Sequence, residues 1–447
     1  MINLDNKITF SNRDEYKRKS IAEKIIKLIT SDIDTSPMII DGGWGTGKTE
    51  FCYKLINLLN ESNPEYKTVY VNAFNEDHTD SPILTVLAAI VTLLPTKDRP
   101  AFVQKALPAL RFGLKTTLKA GAAWVLKQDS DKLAEEFQDV MKETSNAVID
   151  GTVEALLEDH VNAEKNIAAL KLALKEISKE SPIVIFIDEL DRCKPNFAIS
   201  ILENIKHVFD VDNVDFILVT NTKQLQASIN HIYGQSVDAR RYLDKFIKFS
   251  FTLPEQYKVD RYTRIYTSSK HWEYTTKNSV ILSELSQEFT DVALELIEHH
   301  NLSLREVETF TRYIELYQTL SDAPIKNNHP LGLLIYKIIG IYFYCFNKEI
   351  ALNITKNKIN ADAIVSVLSI NGIIYDKKDD IFPSNLDLAS YAILKENGFS
   401  TTKFAKPTED QKENWDGMLA NCFNSMRGRN PSILRVIANT IDVMQLH

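Results

Sequence analysis

The chain has 447 residues, of which 44% are hydrophobic and 25% are charged, and its formal net charge is −8. Such a length predicts roughly two to three domains, and the ordinary composition excludes an intrinsically disordered chain. The negative net charge argues against broad, non-specific binding to nucleic acid. Residues 128–180, with 13 acidic and 6 basic side chains, contribute −7 of this net charge, so a local basic groove elsewhere in the chain is not excluded.

The first elements lead from a helix into a glycine-rich loop. Residues 12–29 have helical periodicity with a basic face, and the turn-rich stretch 30–36 follows. An apolar strand is predicted at 37–41, then GGWGTGKT at 42–49, then an amphipathic helix from residue 50. We expect the first helix to pack beside whatever the glycine loop binds.

The stretch GGWGTGKT fits G-x-x-x-x-G-K-[ST], and both flanking elements are those that the motif requires. Glycine lets the backbone approach a bound group closely, so the loop amides and the helix dipole form a site for nucleotide phosphates. Lys48 is expected against the β- and γ-phosphates, with the Thr49 hydroxyl on Mg²⁺. The alternative is a glycine turn that happens to carry a lysine. The residues predicted to surround the nucleotide are Gly42, Gly43, Trp44, Gly45, Thr46, Gly47, Lys48, Thr49 and Glu50.

Strands and helices alternate as far as residue 254. Between the second strand and the third, residues 82–181 show only helical patterns and are interpreted as a helical insertion. Five strands alternating with helices predict an α/β fold with a parallel sheet. The strands after the first are predicted at 67–74, 182–190, 214–221 and 247–254.

An acidic pair, Asp188 and Glu189, ends the apolar strand at 182–190. The first carboxylate can hold the Mg²⁺ shell and the second can orient and deprotonate a water, and hydrolysis of a γ-phosphate needs both. The alternative is a pair of solvated acids at a strand end. Asn221 ends the next strand, where its side chain could contact the γ-phosphate or the attacking water.

Four other side chains are weaker candidates for the same reaction. Asn72 ends the second strand and could hold Glu189 in a resting position. Arg240 and Arg241 could supply a cation that stabilises transition-state charge, in cis or across a subunit contact, and Arg305 could do so from the helical region. Each could equally be an ordinary strand-end or surface side chain.

Beyond Pro254 the pattern is helical almost to the end, with helical segments at 260–301 and 303–320 and a boundary loop at 322–330. In residues 331–447, the feature that suggests a chemical function is the basic sequence RGR at 427–429. The predicted domains are a nucleotide-binding core at 1–255, a helical lid at 256–321 and a C-terminal helical domain at 322–447.

Membrane and compartment signals are weak. Two apolar runs, 82–94 and 331–346, fall short of the roughly 20 residues of a spanning helix, so buried helices are predicted. The mixed apolar and basic segment 102–126 could lie on a membrane surface. The N-terminus has no secretory pattern, and the four cysteines show no metal or redox spacing, which favours a cytoplasmic protein with reduced, mostly buried thiols.

The sequence resembles the KAP family of P-loop NTPases. The combination of IDELDRC with a loop that contains a tryptophan is the specific part of this resemblance. The matching stretches are GGWGTGKTEF at 42–51, VYVNAF at 69–74, VIFIDELDRCKP at 184–195, YLDKFIKFSFTLP at 242–254 and LSLREVETFTRYIEL at 302–316.

The resemblance implies an ASCE-type ATPase core with a helical insertion between the Walker A and Walker B motifs and a helical lid. It assigns Lys48 and Thr49 to phosphate and Mg²⁺, Asp188 to Mg²⁺ and Glu189 to water activation. Arg305 matches the position of a sensor arginine in related ATPases.

Two features of the resemblance are more specific to this chain. Asp191 and Arg192 match the family string, and we expect them to form an ion pair that shapes the loop after the strand. Many members carry transmembrane helices in the insertion, whereas the equivalent region here has none long enough, which favours a soluble bacterial version. Such members are often associated with resistance to phages.

The predicted function is an ATP-hydrolysing, Mg²⁺-dependent regulatory ATPase whose cycle controls assembly, as a homo-oligomer or with an effector protein, with anti-phage defence expected by analogy. ATP is favoured over GTP because the guanine-reading N/T-K-x-D motif is incomplete in NTKQ at 221–224. One alternative is a nucleic-acid-dependent ATPase, suggested by 427–429 and the basic first helix. Another is a membrane-associated scaffold that uses residues 102–126.

Overall fold

The computed structural model describes residues 8–79, 82–103, 105–106, 153–369, 372–373, 383–422 and 432–445. They divide into two compact units, Met1–Pro254 and Glu255–His447. Much of the predicted insertion, most of the segment 102–126 and the RGR cue at 427–429 lie outside the described residues. The finer division of the second unit at residues 321 and 322 stays a prediction.

The first unit contains the five predicted strands, all parallel and in the order β2-β3-β4-β1-β5. Each predicted strand overlaps an observed one, with ends that differ by at most two residues. β4 thus lies between the strand that precedes the glycine loop and the strand that ends in the acidic pair. The strands are β1 (Met38–Asp41), β2 (Lys67–Asn72), β3 (Ile183–Asp188), β4 (Val214–Thr220) and β5 (Phe249–Thr252).

Helices cover both faces of this sheet, because alternate strand residues point to opposite sides. Ile185 of β3 lies in the hydrophobic core against the helices Pro82–Thr92 and Pro195–His207, whereas its neighbour Phe186 lies in the core with the helices Lys19–Ile29 and Lys48–Ser62. The helices among the described residues of this unit are α1 (Lys19–Ile29), α2 (Lys48–Ser62), α3 (Ala73–Glu76), α4 (Pro82–Thr92), α5 (Val153–Ser178), α6 (Pro195–His207), α7 (Thr222–Tyr233) and α8 (Ala239–Leu243).

The parallel register brings polar residues to one edge of the sheet. Asp41, at the end of β1, lies beside Thr220 of β4 and Thr252 of β5. Asp188, at the end of β3, lies beside Asn72 of β2. Ligands of open α/β sheets bind at this carboxyl edge, so the strand-end side chains identified from the sequence are placed together.

The first helix is shorter than predicted. It begins at Lys19 rather than at residue 12, because the Asp14 carboxylate accepts the backbone N–H of Arg18 at 2.8 Å and Lys17 adopts a left-handed φ of 53°. The helix nevertheless packs against α2, which follows the glycine loop. Its place beside whatever the glycine loop binds stays a prediction.

The second unit begins with a hairpin that the sequence analysis missed, since residues beyond 254 were predicted to be helical. β6 and β7 pair antiparallel, and the Asp260 side chain accepts the backbone N–H groups of Tyr262 and Thr263, both at 2.8 Å. Such a self-closing turn favours a hairpin over a helix start. The two strands are β6 (Gln256–Lys258) and β7 (Arg264–Tyr266).

In the described part of the second unit, helices follow the hairpin, as predicted, and pack around a hydrophobic core that extends from Trp272 to Met444. The apolar run at 331–346 forms a helix that is mostly buried in this core. The helices are α9 (Thr267–Asn278), α10 (Gln287–His299), α11 (Leu304–Leu320), α12 (Leu331–Phe346), α13 (Lys348–Thr355), α14 (Ala361–Leu368), α15 (Asn385–Glu396), α16 (Glu409–Asn421) and α17 (Ile433–Gln445).

Both apolar runs are thus buried helices, since α4 also places Ile83, Val86 and Ile90 in a core. Among the residues that the structure describes, no helix combines the length and apolarity needed to cross a membrane. The four cysteines are free thiols, and Cys52 and Cys193 are buried.

Candidate nucleotide site

The glycine loop, residues 42–49, connects β1 to α2 at the carboxyl edge of the sheet. Gly45 and Gly47 have φ values of 74° and 81°, in the left-handed region that favours glycine. A Cβ on Gly42 would lie 2.8 Å from the Thr46 hydroxyl oxygen, which itself donates to the carbonyl of Gly43 at 2.9 Å. Backbone geometry and close packing therefore both require glycine here, and the loop has the shape of a cradle.

Lys48 lies folded over this cradle. Its Nζ donates to the carbonyl oxygens of Gly42 at 2.8 Å and Gly43 at 2.9 Å. Burial lowers the pKa of the Lys48 ammonium, and nearby carboxylates, Asp191 and Asp188 foremost, oppose that shift. The cation is thus held at the loop by carbonyl groups that a more strongly charged ligand can replace.

Thr49 and Asp188, which are 139 residues apart in sequence, meet beside the loop. The Thr49 hydroxyl donates to Asp188 Oδ2 at 2.7 Å, and the Tyr70 hydroxyl donates to the same oxygen at 2.9 Å. Burial raises the pKa of the Asp188 carboxyl, and the hydrogen bonds from Thr49, Tyr70 and the Glu189 backbone oppose that rise. A hydroxyl beside a carboxylate is an oxygen donor set that fits Mg²⁺, which takes few protein ligands and completes its shell with water and phosphate oxygens.

Glu189 adopts a left-handed φ of 62°, and its Oε2 lies 2.6 Å from the Nε of Arg192. Burial and the neighbouring Asp188 raise the pKa of the Glu189 carboxyl, while Arg192 opposes the rise. Asn72, expected to hold Glu189 at rest, instead accepts the backbone N–H of Asn75 and caps α3. Among the described residues, the ion-pair partner of the Glu189 carboxylate is therefore Arg192.

The expected ion pair between Asp191 and Arg192 is wrong, because Asp191 has other partners. Its Oδ2 accepts the indole N–H of Trp44 at 2.7 Å, and its Oδ1 accepts the Thr220 hydroxyl and the Asn221 backbone N–H, both at 3.1 Å. Asp191 thus connects the glycine loop to the end of β4. The sequence offered one indication of the contact between Trp44 and Asp191, because both residues belong to the stretches that carry the family resemblance.

Asn221 lies beside the site, but its side-chain oxygen is engaged as a helix cap. It accepts the backbone N–H groups of Lys223 and Gln224 and so begins α7. Thr222, next in sequence, donates its backbone N–H to the Asp41 carboxylate at 2.8 Å, and its hydroxyl donates to the same oxygen. The end of β4 is therefore tied to the end of β1 as well as to Asp191.

Arg18 is a site residue that the sequence analysis missed. It is only 4% exposed, and its guanidinium donates to the carbonyl of Thr46 in the glycine loop at 3.0 Å and to the carbonyl of Pro254 at 3.3 Å. Burial lowers its pKa to about 10. The signal was the basic face of the first helical segment, but spacing alone did not single out this residue among its basic neighbours.

Four other predicted residues have different surroundings. Glu50, in the first turn of α2, pairs with Lys54 at 2.8 Å. Arg240 and Arg241 are exposed on the short helix α8, where Arg241 pairs with Asp238 at 3.3 Å. Arg305 is exposed in the first turn of α11, in the second unit. In the described part of the first unit, no hydrogen bond or ion pair joins Arg240 or Arg241 to the glycine loop or the acidic pair.

Comparison with known proteins places these features in a family. The Phage T7 exclusion protein of Escherichia coli (strain K12) is 21% identical over 275 residues, which cover 58% of this chain and 35% of that protein. The match thus spans about a third of that relative's length.

Two solved structures, each 11% identical, are also similar: C. elegans PCH-2 with a TM-score of 0.33, and AMPPCP-bound DnaA from Aquifex aeolicus with a TM-score of 0.28. The first similarity covers 75% of this chain and 72% of PCH-2, and the second covers 95% of this chain and 99% of DnaA. Scores this low do not establish a shared fold.

A family model described as the KAP family P-loop domain matches residues 18–320, well over half of the chain. The match begins at Arg18, contains the whole five-stranded sheet with the glycine loop and the acidic pair, and ends with α11. On this match, and on the parallel sheet that carries the loop at its carboxyl edge, the chain belongs to the KAP family of P-loop NTPases.

Proposed function

We propose that this protein is a Mg²⁺-dependent ATPase whose nucleotide cycle controls assembly with itself or with an effector protein. The observation that carries the proposal is the 2.7 Å hydrogen bond between Thr49 and Asp188 beside a glycine cradle. It joins the end of the phosphate-binding motif to the acidic strand end, which are the Walker A and Walker B positions of an ATPase. A glycine turn that merely happens to carry a lysine would not be expected to place Thr49 in contact with Asp188.

Each side chain of the cluster has a task in this proposal. The glycine-loop amides bind phosphate oxygens, and Lys48 exchanges its two carbonyl partners for the β- and γ-phosphates. Thr49 and Asp188 would hold Mg²⁺, which would supply positive charge to offset that of the phosphates. Glu189 orients a water for attack on the γ-phosphorus and accepts its proton. A carboxyl whose pKa burial has raised is a better base than a solvated one, provided that it is ionised at the working pH.

The assembly part of the proposal is supported by three exposed arginines. Arg240, Arg241 and Arg305 are open to solvent, so each is available to a neighbouring subunit or to the closed state of the protein. Asn221, next to Asp191, is proposed to sense the γ-phosphate or the attacking water through the end of β4. A role in excluding phages is proposed from the name of the relative alone.

A single substitution tests the hydrolytic assignment. Glu189→Gln should bind Mg²⁺-ATP about as well as the wild type and hydrolyse it about a hundredfold more slowly, because it removes the general base and keeps the shape. Binding is measured with a fluorescent ATP analogue and turnover by phosphate release. Glu61→Gln, the same change at an exposed position of α2, is the matched control and should behave as wild type.

A second variant separates binding from chemistry. Lys48→Ala removes the cation from the cradle and should abolish detectable ATP binding. Wild-type turnover in the Glu189→Gln protein would show that another group activates the water, and tight ATP binding by Lys48→Ala would show that the cradle is not the nucleotide site.

A further inference from the structure

The hairpin that opens the second unit has an unusual arrangement of charge. Its register places Lys258 of β6 directly opposite Arg264 of β7. Like charges directly opposite one another destabilise an antiparallel pair. Both side chains are exposed, and across the described parts of the chain neither forms an ion pair that would offset the repulsion. The hairpin therefore keeps two cations together at a cost in stability.

The turn between the strands adds a third cation and an exposed ring. Asp260 is committed to the turn, since its carboxylate accepts two backbone N–H groups, and these hydrogen bonds lower its pKa. Arg261 is exposed at the tip, and the Tyr262 side chain beside it is 87% exposed. Residues 258–264 thus carry three basic side chains and one acidic side chain, a net charge of +2 in a chain whose net charge is −8.

We propose that this hairpin tip, residues 258–264, is a contact surface for single-stranded nucleic acid. Lys258, Arg261 and Arg264 would contact successive phosphates, which relieves the repulsion across the strands. Tyr262 would stack on an unpaired base, the kind of contact that exposed aromatic side chains make in single-strand binding. The surface belongs to the second unit, whereas the glycine loop and the acidic pair belong to the first.

Other polyanions fit the hairpin less well. A duplex hides the faces of its bases, so the Tyr262 ring would have nothing to stack on. An anionic membrane surface is held by an apolar face as well as by cations, and the tip offers only Tyr262 and Val259, which is 59% exposed. Three cations beside one aromatic ring match the alternation of phosphates and bases along a single strand.

The test measures fluorescence anisotropy of short labelled single strands of DNA and of RNA with the full chain, at low and rising salt. Wild-type binding should weaken with a slope of log Kobs against log salt of about −2, as three phosphate contacts predict for a single strand. Arg264→Glu places opposite charges across the hairpin, so folding is maintained while affinity falls at least tenfold. Lys356→Glu, the same charge change at an exposed turn of the second unit, is the matched control and should bind as wild type.

Two more variants separate the phosphate contacts from the stacking contact. Arg261→Ala should reduce the magnitude of the salt slope by about 0.7, one phosphate contact, while Tyr262→Ala should weaken binding about tenfold and leave the slope unchanged. The proposal is overturned if the wild type binds no single strand at low salt, or if Arg264→Glu and Tyr262→Ala bind as tightly as Lys356→Glu. Tighter binding to the duplex form, or to anionic vesicles instead of oligonucleotides, would overturn it as well.

Discussion

At the scale of single residues, the contact with the clearest consequence is the 2.6 Å ion pair between Glu189 and Arg192. The proposed base is held by a cation three residues away, on the turn that follows β3. While the pair is formed, Oε2 of the Glu189 carboxylate is held by Arg192, and we propose that this restrains the carboxylate from orienting a water. The proposed hydrolysis would then require that the pair opens, so that its strength sets part of the barrier.

Arg192→Ala should raise ATP turnover without a partner about two- to fivefold, the range that a partly exposed ion pair is worth. The same substitution should move the acidic limb of the pH–rate profile to higher pH. The sign follows from the pKa of Glu189: Arg192 lowers it, so removing Arg192 leaves the carboxyl protonated up to a higher pH. Turnover measured between pH 5 and 9 gives both quantities.

Arg192→Lys keeps the charge and should keep the pH profile of the wild type. If Arg192→Ala instead lowers turnover and leaves the acidic limb unmoved, Arg192 acts on the transition state and does not restrain Glu189.

At the scale of elements, α7 shows how one side chain joins a helix to the site. Asn221 accepts the first backbone N–H groups of α7, while its own backbone N–H bonds to Asp191. The position is thus both a helix cap and the proposed sensor at the end of β4. The two tasks can be separated, because a cap needs only an acceptor whereas an amide also offers a donor.

Asn221→Ala should lower the free energy of unfolding of the first unit by about 1 kcal/mol, the usual cost of losing a cap. Asn221→Asp keeps the acceptor and should restore that stability, as measured by urea denaturation. If the amide also contacts the γ-phosphate or the attacking water, Asn221→Asp lowers turnover although the protein is as stable as wild type. Wild-type turnover in that variant would limit Asn221 to its capping task.

At the scale of the whole molecule, the two units have separate hydrophobic cores. One cluster of buried residues lies wholly in the second unit, and the other two lie in the first. The glycine loop, Asp188 and Glu189 all belong to the first unit. Ligand binding stabilises the structure that holds the ligand, so nucleotide should act first on the unit that contains the sheet.

A saturating non-hydrolysable ATP analogue with Mg²⁺ should slow amide hydrogen exchange in β1 and β3, with about 2.7 kcal/mol of added protection at 100 times the Kd. Exchange in the buried helix α12 of the second unit should stay unchanged. Hydrogen exchange followed by mass spectrometry resolves the two segments. An equal gain of protection in α12 would mean that both units open together, and no gain in β3 would count against nucleotide binding at this site.

The amino-acid sequence by itself determined the sheet and the chemistry at its edge. A short apolar run of strand length such as 183–187, bounded by turn signals, predicts a buried strand between two layers of helices, and a glycine motif between a strand and a helix predicts a phosphate cradle. These signals depend on neighbours within a few residues. The five strands, Lys48 on its loop and the acidic pair at a strand end were therefore predictable.

Only the tertiary structure decided which distant side chains meet. The hydrogen bonds from Thr49 to Asp188 and from Trp44 to Asp191 join residues that are more than a hundred positions apart in sequence. They form at the carboxyl edge of the sheet, where β1 and β3 are the two neighbours of β4. The approach of the buried Arg18 to the loop is equally non-local. Arg192, although near in sequence, could be assigned to Glu189 rather than Asp191 only once the left-handed turn at Glu189 was known. Local patterns thus set the elements and their chemistry, whereas partners were set by the order and register of the strands.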